Sequence, residues 1–412
     1  MVESNLETSN GSSSSQTSED STNVAEPVPL DDYCLVGWDL DTTGRKLLDE
    51  ICHIAGYIPD DAFSLYIMPH GNLTKVAKRR HMIRIVTVNF YRIIKDTSSN
   101  KMLKTKSEVS ALVDFLDWLE NSCKKSGKKG VLLISHESYK FNPHMLIKSL
   151  FKYNLFERFS DIVKGFVDCH TFAKKKCEQT MVSFSIRTLS KVLLDKDNVE
   201  IHKASDRARL AYDIVQHLCA GDSEIGNGAA SPNLEIVRTL LPFTTSVQYE
   251  LKVLQDLQVL LSRQHTLKPI FASFLGAKLK SYHERRSALQ LRKYLVDAYV
   301  DYDMLKTAWS KGKEALEELI NDKLSGDEVE EKQKEELLKL LTDHFENPEE
   351  PKRRVPRFSR RNVRKSPSTS KSETAKVSES ENIEPAASEE VPLADDIVKP
   401  IQTNTSAPVL VN

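Results

Sequence analysis

The stretch Tyr33–Pro69 constrains this 412-residue chain more than any other. A short apolar run ends in Asp39-Leu40-Asp41-Thr42-Thr43-Gly44. Alternation along a strand puts residues i and i+2 on one side, so Asp39 and Asp41 present two carboxylates side by side at a strand end. Two hard oxygen ligands so placed suit a divalent ion such as Mg²⁺, the ion of two-metal phosphodiester chemistry. After a break, Asp49–Tyr57 starts a second strand.

Composition narrows the class. A chain with 40% hydrophobic and 28% charged residues is expected to be soluble and globular, with polar tails. Its net charge of −1 hides strong asymmetry: Met1–Asp32 holds seven acids and no Lys or Arg, whereas Pro351–Lys365 holds eight basic residues and no acid. No apolar core follows a basic start and no run of 18 apolar residues occurs, so neither a secretory leader nor a membrane span is expected. The six cysteines lack a CxxC pair, which points to buried thiols rather than zinc or disulfides. Cys169 beside His170 is read as a pair of strand residues facing opposite ways, not as a dyad. No cofactor is expected.

Taken in order, residues 1–30 read as a disordered acidic leader. Strands are expected at Tyr33–Leu40, Ile51–Tyr57, Ala62–Met68 and, as one long alternating run, Met82–Ile94. Asn72–His81 is a basic loop or short helix. Ser107–Lys124 has helical apolar spacing and a capping serine. Gly130–Ile134 is apolar on both faces, as in a parallel sheet, and is followed by a helix through Pro143–Tyr153, a strand at Val163–Asp168, and helices near Ser185–Leu194 and Ser205–Leu218. This order predicts an α/β domain over 31–220. A linker with connecting helices follows over 221–266 and a compact helical domain over 267–346, with no strand signal. A disordered tail, basic then acidic, occupies 347–412.

The first motif resembles that of the DEDD-type 3′–5′ exonucleases, whose pattern is DxETTG followed by EIxQIA. That resemblance implies a ribonuclease-H-like fold and two further acids from distant motifs. Opposite the second motif, HNxxFD, stands Ser135–His144: His136, Phe141 and Pro143 fit, with one extra residue between His136 and Phe141, but the acid position falls on Asn142. Opposite the third, HxAxxDAR, His202 matches the general base and Arg207 occupies the acid position. Asp206 lies about 100° away around a helix. An amide binds Mg²⁺ poorly, and a guanidinium repels a metal. The expectation is no metal and no catalysis, with Asp39 and Asp41 either capping the next segment or pairing with Arg207.

Across Tyr33–Phe345 the chain also resembles the exuperantia family of insect maternal proteins, in stretches such as YIMPHGNL, RRHMIRIVTVNFYR, SLFKYNLFERF, IRTLSKVL and LKPIFASFLGAKL. The resemblance implies a SAM-like second domain. It also implies a non-catalytic, cytoplasmic RNA-binding homodimer that localises maternal mRNA, through its 3′ untranslated region, within ribonucleoprotein particles of the oocyte and nurse cells.

Phosphate neutralisation dominates nucleic-acid affinity, and aromatic or Arg planes stack unpaired bases. Three basic stretches are candidate RNA contacts: Lys75, Lys78, Arg79, Arg80 and Arg84; then Lys278, Lys280, Tyr282, Arg285, Arg286, Arg292 and Lys293; then Arg353, Arg354, Arg357, Arg360 and Arg361 in the tail. The bland alternative for the first two is a solvated helix face. Two rival functions stand beside RNA transport: an active Mg²⁺-dependent 3′–5′ exoribonuclease, and an adaptor docking partners through the SAM-like bundle.

Overall fold

The computed structural model describes residues 27–137, 140–220, 232–275, 281–325 and 329–347. The chain divides into two units, Met1–Gln255 and Asp256–Asn412.

In the first unit, β1 (Cys34–Thr42), β2 (Ile51–Ile58) and β3 (Asp61–Ile67) form an antiparallel meander. Helix α1 (Lys75–His81) leads into a separate three-stranded sheet of β4 (Ile83–Val88), β5 (Tyr91–Asp96) and β6 (Met102–Leu103). Strand β7 (Thr105–Lys106) returns to pair parallel with β3. The rest comprises α2 (Glu108–Ser126), β8 (Val131–Ser135), α3 (Asn142–Lys152), α4 (Phe156–Ile162) and β9 (Val163–Asp168). It continues with α5 (Cys169–Cys177), α6 (Ile186–Leu193), α7 (Ala204–Ala220), α8 (Pro232–Leu240), β10 (Thr244–Ser246) and the first half of α9 (Val247–Thr266), within which the boundary between the units falls. The main sheet has the order β10-β9-β8-β1-β2-β3-β7, with β1, β8 and β9 parallel to one another. The expected mixed α/β sheet is therefore present.

Strand parity sorts the core into two layers. Val36, Trp38 and Leu40 of β1 and Val131 and Leu133 of β8 pack with α2, α3 and α4. Their neighbours Leu35, Leu132 and Ile134 point the other way, onto α5, α6 and α7. Gly37 lies in the second set, and there the α7 backbone comes so close that an added Cβ would sit 2.2 Å from the Ala208 carbonyl oxygen. Continuing by twos, Asp39 and Asp41 face the same helix.

Three expectations need correction. The long strand Met82–Ile94 is a hairpin: Asn89 and Phe90 both take positive φ, 46° and 71°, as a tight two-residue turn requires. Apolar alternation runs straight through because both strands bury one face on the same small cluster of Ile83, Ile94 and Leu73. Phe90 stands where glycine is favoured, at a cost of about 1–2 kcal/mol. Secondly, Cys169 and His170 open α5 rather than continuing β9, because Asp168 accepts from the Thr171 amide at 2.9 Å and caps the helix. Thirdly, the segment assigned to a linker and connecting helices carries β10, which pairs antiparallel with β9 and extends the sheet. Just beyond it, buried Glu250 accepts from the Thr245 hydroxyl at 2.6 Å and lies 3.1 Å from His144 of α3, and Val247 and Leu254 join the first core. The part of that segment at 221–231 lies outside the described residues.

In the second unit α10 (Lys268–Leu275), α11 (Tyr282–Asp297), α12 (Tyr302–Lys311), α13 (Lys313–Lys323) and α14 (Glu331–Glu346) follow. They enclose a core that includes Phe271, Leu291, Leu295, Leu316 and Leu341. A capping box of Ser281 and Glu284 fixes the start of α11. Among the described residues no helix is long and apolar enough to cross a membrane.

Gly37→Ala should force α7 off the sheet and cost about 1–3 kcal/mol. A urea unfolding midpoint equal to that of the parent chain would show that the β1–α7 approach does not need glycine.

Candidate functional site

Asp39 and Asp41 project from the end of β1 and are 3% and 1% exposed. Arg207, in the first turns of α7 and 5% exposed, lies across both. Its Nε donates to Asp39 Oδ2 at 2.6 Å and its Nη2 to Asp41 Oδ1 at 2.6 Å. The remaining guanidinium contacts go to backbone carbonyls, from Nη2 to Leu40 at 3.3 Å and from Nη1 to Ile201 at 3.0 Å. Asn142, the first residue of α3, donates from Nδ2 to the other oxygen of Asp39 at 2.6 Å. The four positions matched to the exonuclease acids thus meet in space as two carboxylates, one amide and one guanidinium.

The electrostatics follow from that set. Burial alone would raise the Asp41 pKa, but Arg207, then His53 and His81, outweigh it and hold the carboxyl well below 3.8. Burial likewise opposes the Arg207 charge, and Asp39 and Asp41 more than offset it, so the guanidinium pKa rises.

Several residues of this site had no motif to announce them. His53 faces Asp41 directly across the β1–β2 ladder, with Nδ1 3.2 Å from Asp41 Oδ2 and Nε2 2.9 Å from the Ser64 hydroxyl. His81, at the end of α1, brings Nδ1 within 2.7 Å of Asp41 Oδ1, near enough to pair but without the alignment of a hydrogen bond. Glu137 accepts from the amides of Phe141 and Asn142 at 3.2 and 3.0 Å, at the start of α3. Burial, then the nearby Asp39 charge, push its pKa up to about 8. Alternation and register could have flagged His53 only once the β1–β2 pairing was known.

The two candidate histidines are tied elsewhere. His202 Nδ1 lies 3.0 Å from the Arg80 carbonyl, which can only accept, so Nδ1 carries the proton. His136 Nε2 donates to the Phe184 carbonyl at 2.9 Å, and burial followed by the neighbouring His170 lowers its pKa to about 4.

A ribonuclease-H-like fold implies divalent ions at this point, and the residues present do not fit them. Arg207 takes an oxygen of each carboxylate, and Asn142 takes the second oxygen of Asp39. Among the described residues no group of three or more His, Cys, Asp or Glu could hold a metal ion.

The basic candidates fall into separate groups. Lys75, Lys78, Arg79 and Arg80 lie on the exposed turns of α1, and Arg84 on β4 donates to Asn100 at 2.9 Å. Arg80 is near enough to Arg207 to be repelled by it and to Asp39 and Asp41 to be attracted. In the second unit Tyr282, Arg286 and Lys293 are exposed and share one face of α11, since four and seven residues bring a helix back to nearly the same side. Arg285 and Arg292 are half-buried on a different face. Lys278, Lys280, Arg353, Arg354, Arg357, Arg360 and Arg361 lie outside the described residues.

Fold and site together define an RNase H-like α/β domain followed by a helical SAM-like domain. Residues 33–193 match the Exuperantia RNAse H-like domain and residues 268–344 the Exuperantia SAM-like domain. The chain is 34% identical over 357 residues to maternal protein exuperantia of Drosophila virilis, covering 78% of this chain and 72% of that one. It is 32% identical over 378 residues to maternal protein exuperantia of Drosophila melanogaster, covering 77% and 70%. The chain belongs to the exuperantia family.

Arg207→Met should leave two buried carboxylates without their cation and cost about 3–5 kcal/mol. In the parent chain the depressed Asp41 contributes stability that is present above its unfolded value of 3.8 and lost as pH falls through its folded value. In the variant Asp41 keeps its burial but loses its largest opposing charge, so the acid-side loss of stability should weaken. Urea midpoints measured from neutral to acidic pH would expose the smaller dependence; a variant with the parent's midpoints would show the pairing to be incidental.

Proposed function

We propose that this chain is a non-catalytic, RNA-binding member of its family with a maternal role. In this reading it works as a homodimer in cytoplasmic ribonucleoprotein particles and helps to localise maternal mRNA in the oocyte, engaging the 3′ untranslated region. The maternal role extends to this chain what the names of its Drosophila relatives say of them. The observation that carries the non-catalytic part is the Arg207 guanidinium lying 2.6 Å from both Asp39 and Asp41. Two-metal phosphodiester cleavage needs free carboxylate oxygens to clamp two ions around the scissile phosphate. Arg207 uses those oxygens for its own N–H groups.

RNA binding is supported by where the remaining positive charge lies. The exposed turns of α1 and the Tyr282–Arg286–Lys293 face of α11 offer cations that a phosphate backbone can neutralise, with an aromatic ring beside the second group.

Purified full-length chain incubated with labelled single-stranded RNA and Mg²⁺ or Mn²⁺ should leave the RNA at full length. Its affinity should fall linearly with the logarithm of salt concentration, by roughly 0.7 per phosphate neutralised on a single strand. Arg286→Glu with Lys293→Glu should make that slope shallower. Progressive shortening abolished by Asp39→Ala would instead establish a nuclease. Salt-independent binding with partner docking lost in the charge-reversed chain would establish an adaptor.

A further inference from the structure

The three-stranded sheet β4–β5–β6 buries one face and, among the described residues, has no element covering the other. Ile83, Ile85, Ile94 and Leu103 point inward to a small apolar cluster with Leu73 and Ala77. The outward set follows from the register, in which Arg84 pairs with Lys95, Val86 with Ile93, Val88 with Tyr91, and Lys95 with Met102. Side chains directly opposite in a ladder share a face, so Val88, Tyr91 and Met102 form one outer surface with Val86 and Ile93, flanked by Arg84 and Lys95. Its exposure is high for apolar groups: Val88 45%, Tyr91 74% and Met102 65%. At its tip Phe90 is 100% exposed, in a backbone conformation that favours glycine. A ring that is held at a steric cost and buries nothing contributes little to the fold.

Charge indicates the occupant. Between Lys75 and Lys106 the sequence carries ten Lys and Arg and a single acid, Asp96. Asp96 is buried and points inward, where its Oδ1 accepts from the Ser98 amide, the Ser98 hydroxyl and the Ser99 amide at 2.8, 2.5 and 2.9 Å. The outer face therefore presents aromatic and apolar surface flanked by Arg84 and Lys95, with no acid of β4–β6 on that side. That combination matches single-stranded RNA, whose phosphates seek the cations and whose unpaired bases stack on rings.

We propose that the outer face of β4–β5–β6, with Phe90 and Tyr91 at its tip, is a stacking platform for unpaired bases of single-stranded RNA. This rests on the RNA-binding reading and adds to it the form of RNA and the surface that takes it. Stacking needs an accessible base face, which a duplex does not offer, so the platform discriminates strand from duplex while the flanking cations serve both.

The test is an anisotropy titration of the full-length chain with a labelled oligouridylate and with an RNA duplex of equal length, alongside sedimentation and thermal melting. Phe90→Gly with Tyr91→Thr removes both rings and suits the turn and the strand, so melting should not fall. Affinity for the single strand should drop by at least about tenfold, duplex affinity should hold, and Phe90→Trp should keep single-strand binding. Unchanged single-strand affinity in the double variant overturns the proposal, as does an equal loss on strand and duplex. A variant that turns monomeric yet binds the strand undiminished assigns the face to a second copy of the chain and also overturns it. If the parent chain binds neither RNA, the RNA-binding reading itself fails, an outcome distinct from failure of the platform alone.

Discussion

The pairing of Arg207 with Asp39 and Asp41 is the interaction on which the first unit turns. Two carboxylates at the end of the central strand, buried to a few per cent exposure, would repel each other and lose their hydration. Arg207 satisfies one oxygen of each and also binds the Leu40 and Ile201 carbonyls, so one side chain joins β1, the approach to α7 and α7 itself. The planar guanidinium suits this because its five donors lie in a fixed fork, whereas a lysine would offer a point charge. Asn142, His53 and His81 then occupy most of what Arg207 leaves, and the strand end is held from α1, β2, α3 and α7 at once.

The same arrangement separates the structural service of a cation from its chemistry. A divalent ion at two carboxylates neutralises them, polarises a phosphoryl oxygen and makes bound water acidic. A guanidinium performs the first task alone. It has no coordination position for substrate and no Lewis acidity, and its N–H groups already point at Asp39, Asp41 and two carbonyls. A frame that supplies its own cation covalently needs none from solvent to keep its strand end in place.

Much of this was legible in the sequence. The strand parity that sets Asp39 and Asp41 side by side and the order of helices and strands could be read from residue types and spacing, while the family resemblances supplied the RNase H-like and SAM-like frames and marked Asn142 and Arg207 as standing at acid positions. What escaped reading depends on pairing between distant segments. His53 reaches Asp41 only because β2 runs antiparallel to β1 in one particular register. Glu137 matters because burial and the charge of Asp39, which comes from β1, act together on its carboxyl. The hairpin hid in an unbroken alternation, since a turn through Asn89 and Phe90 carries neither glycine nor proline and both strands bury the same face. β10 was hidden by brevity, three residues being too few for any period to register.

A division of charge runs through the first unit. Charges that hold the fold are inward and partnered: Arg207 with two aspartates, Glu250 with Thr245 and, at 3.1 Å, His144, and Asp96 with Ser98 and Ser99. The cations of α1 and Arg84 and Lys95 of the second sheet lie on the outer side, with no acid among them. The near-zero net charge of the whole chain therefore says little about the field a partner meets at that surface. Long-range attraction to a polyanion follows from the local excess, and it is screened within about 10 Å at moderate salt. Selectivity among polyanions has to come from groups that touch, which on this surface are the aromatic and apolar side chains between the cations. Hydrolysis would demand the buried carboxylates, and retention does not. A chain can therefore lose its metal ligands to a guanidinium without altering the surface by which it would hold RNA.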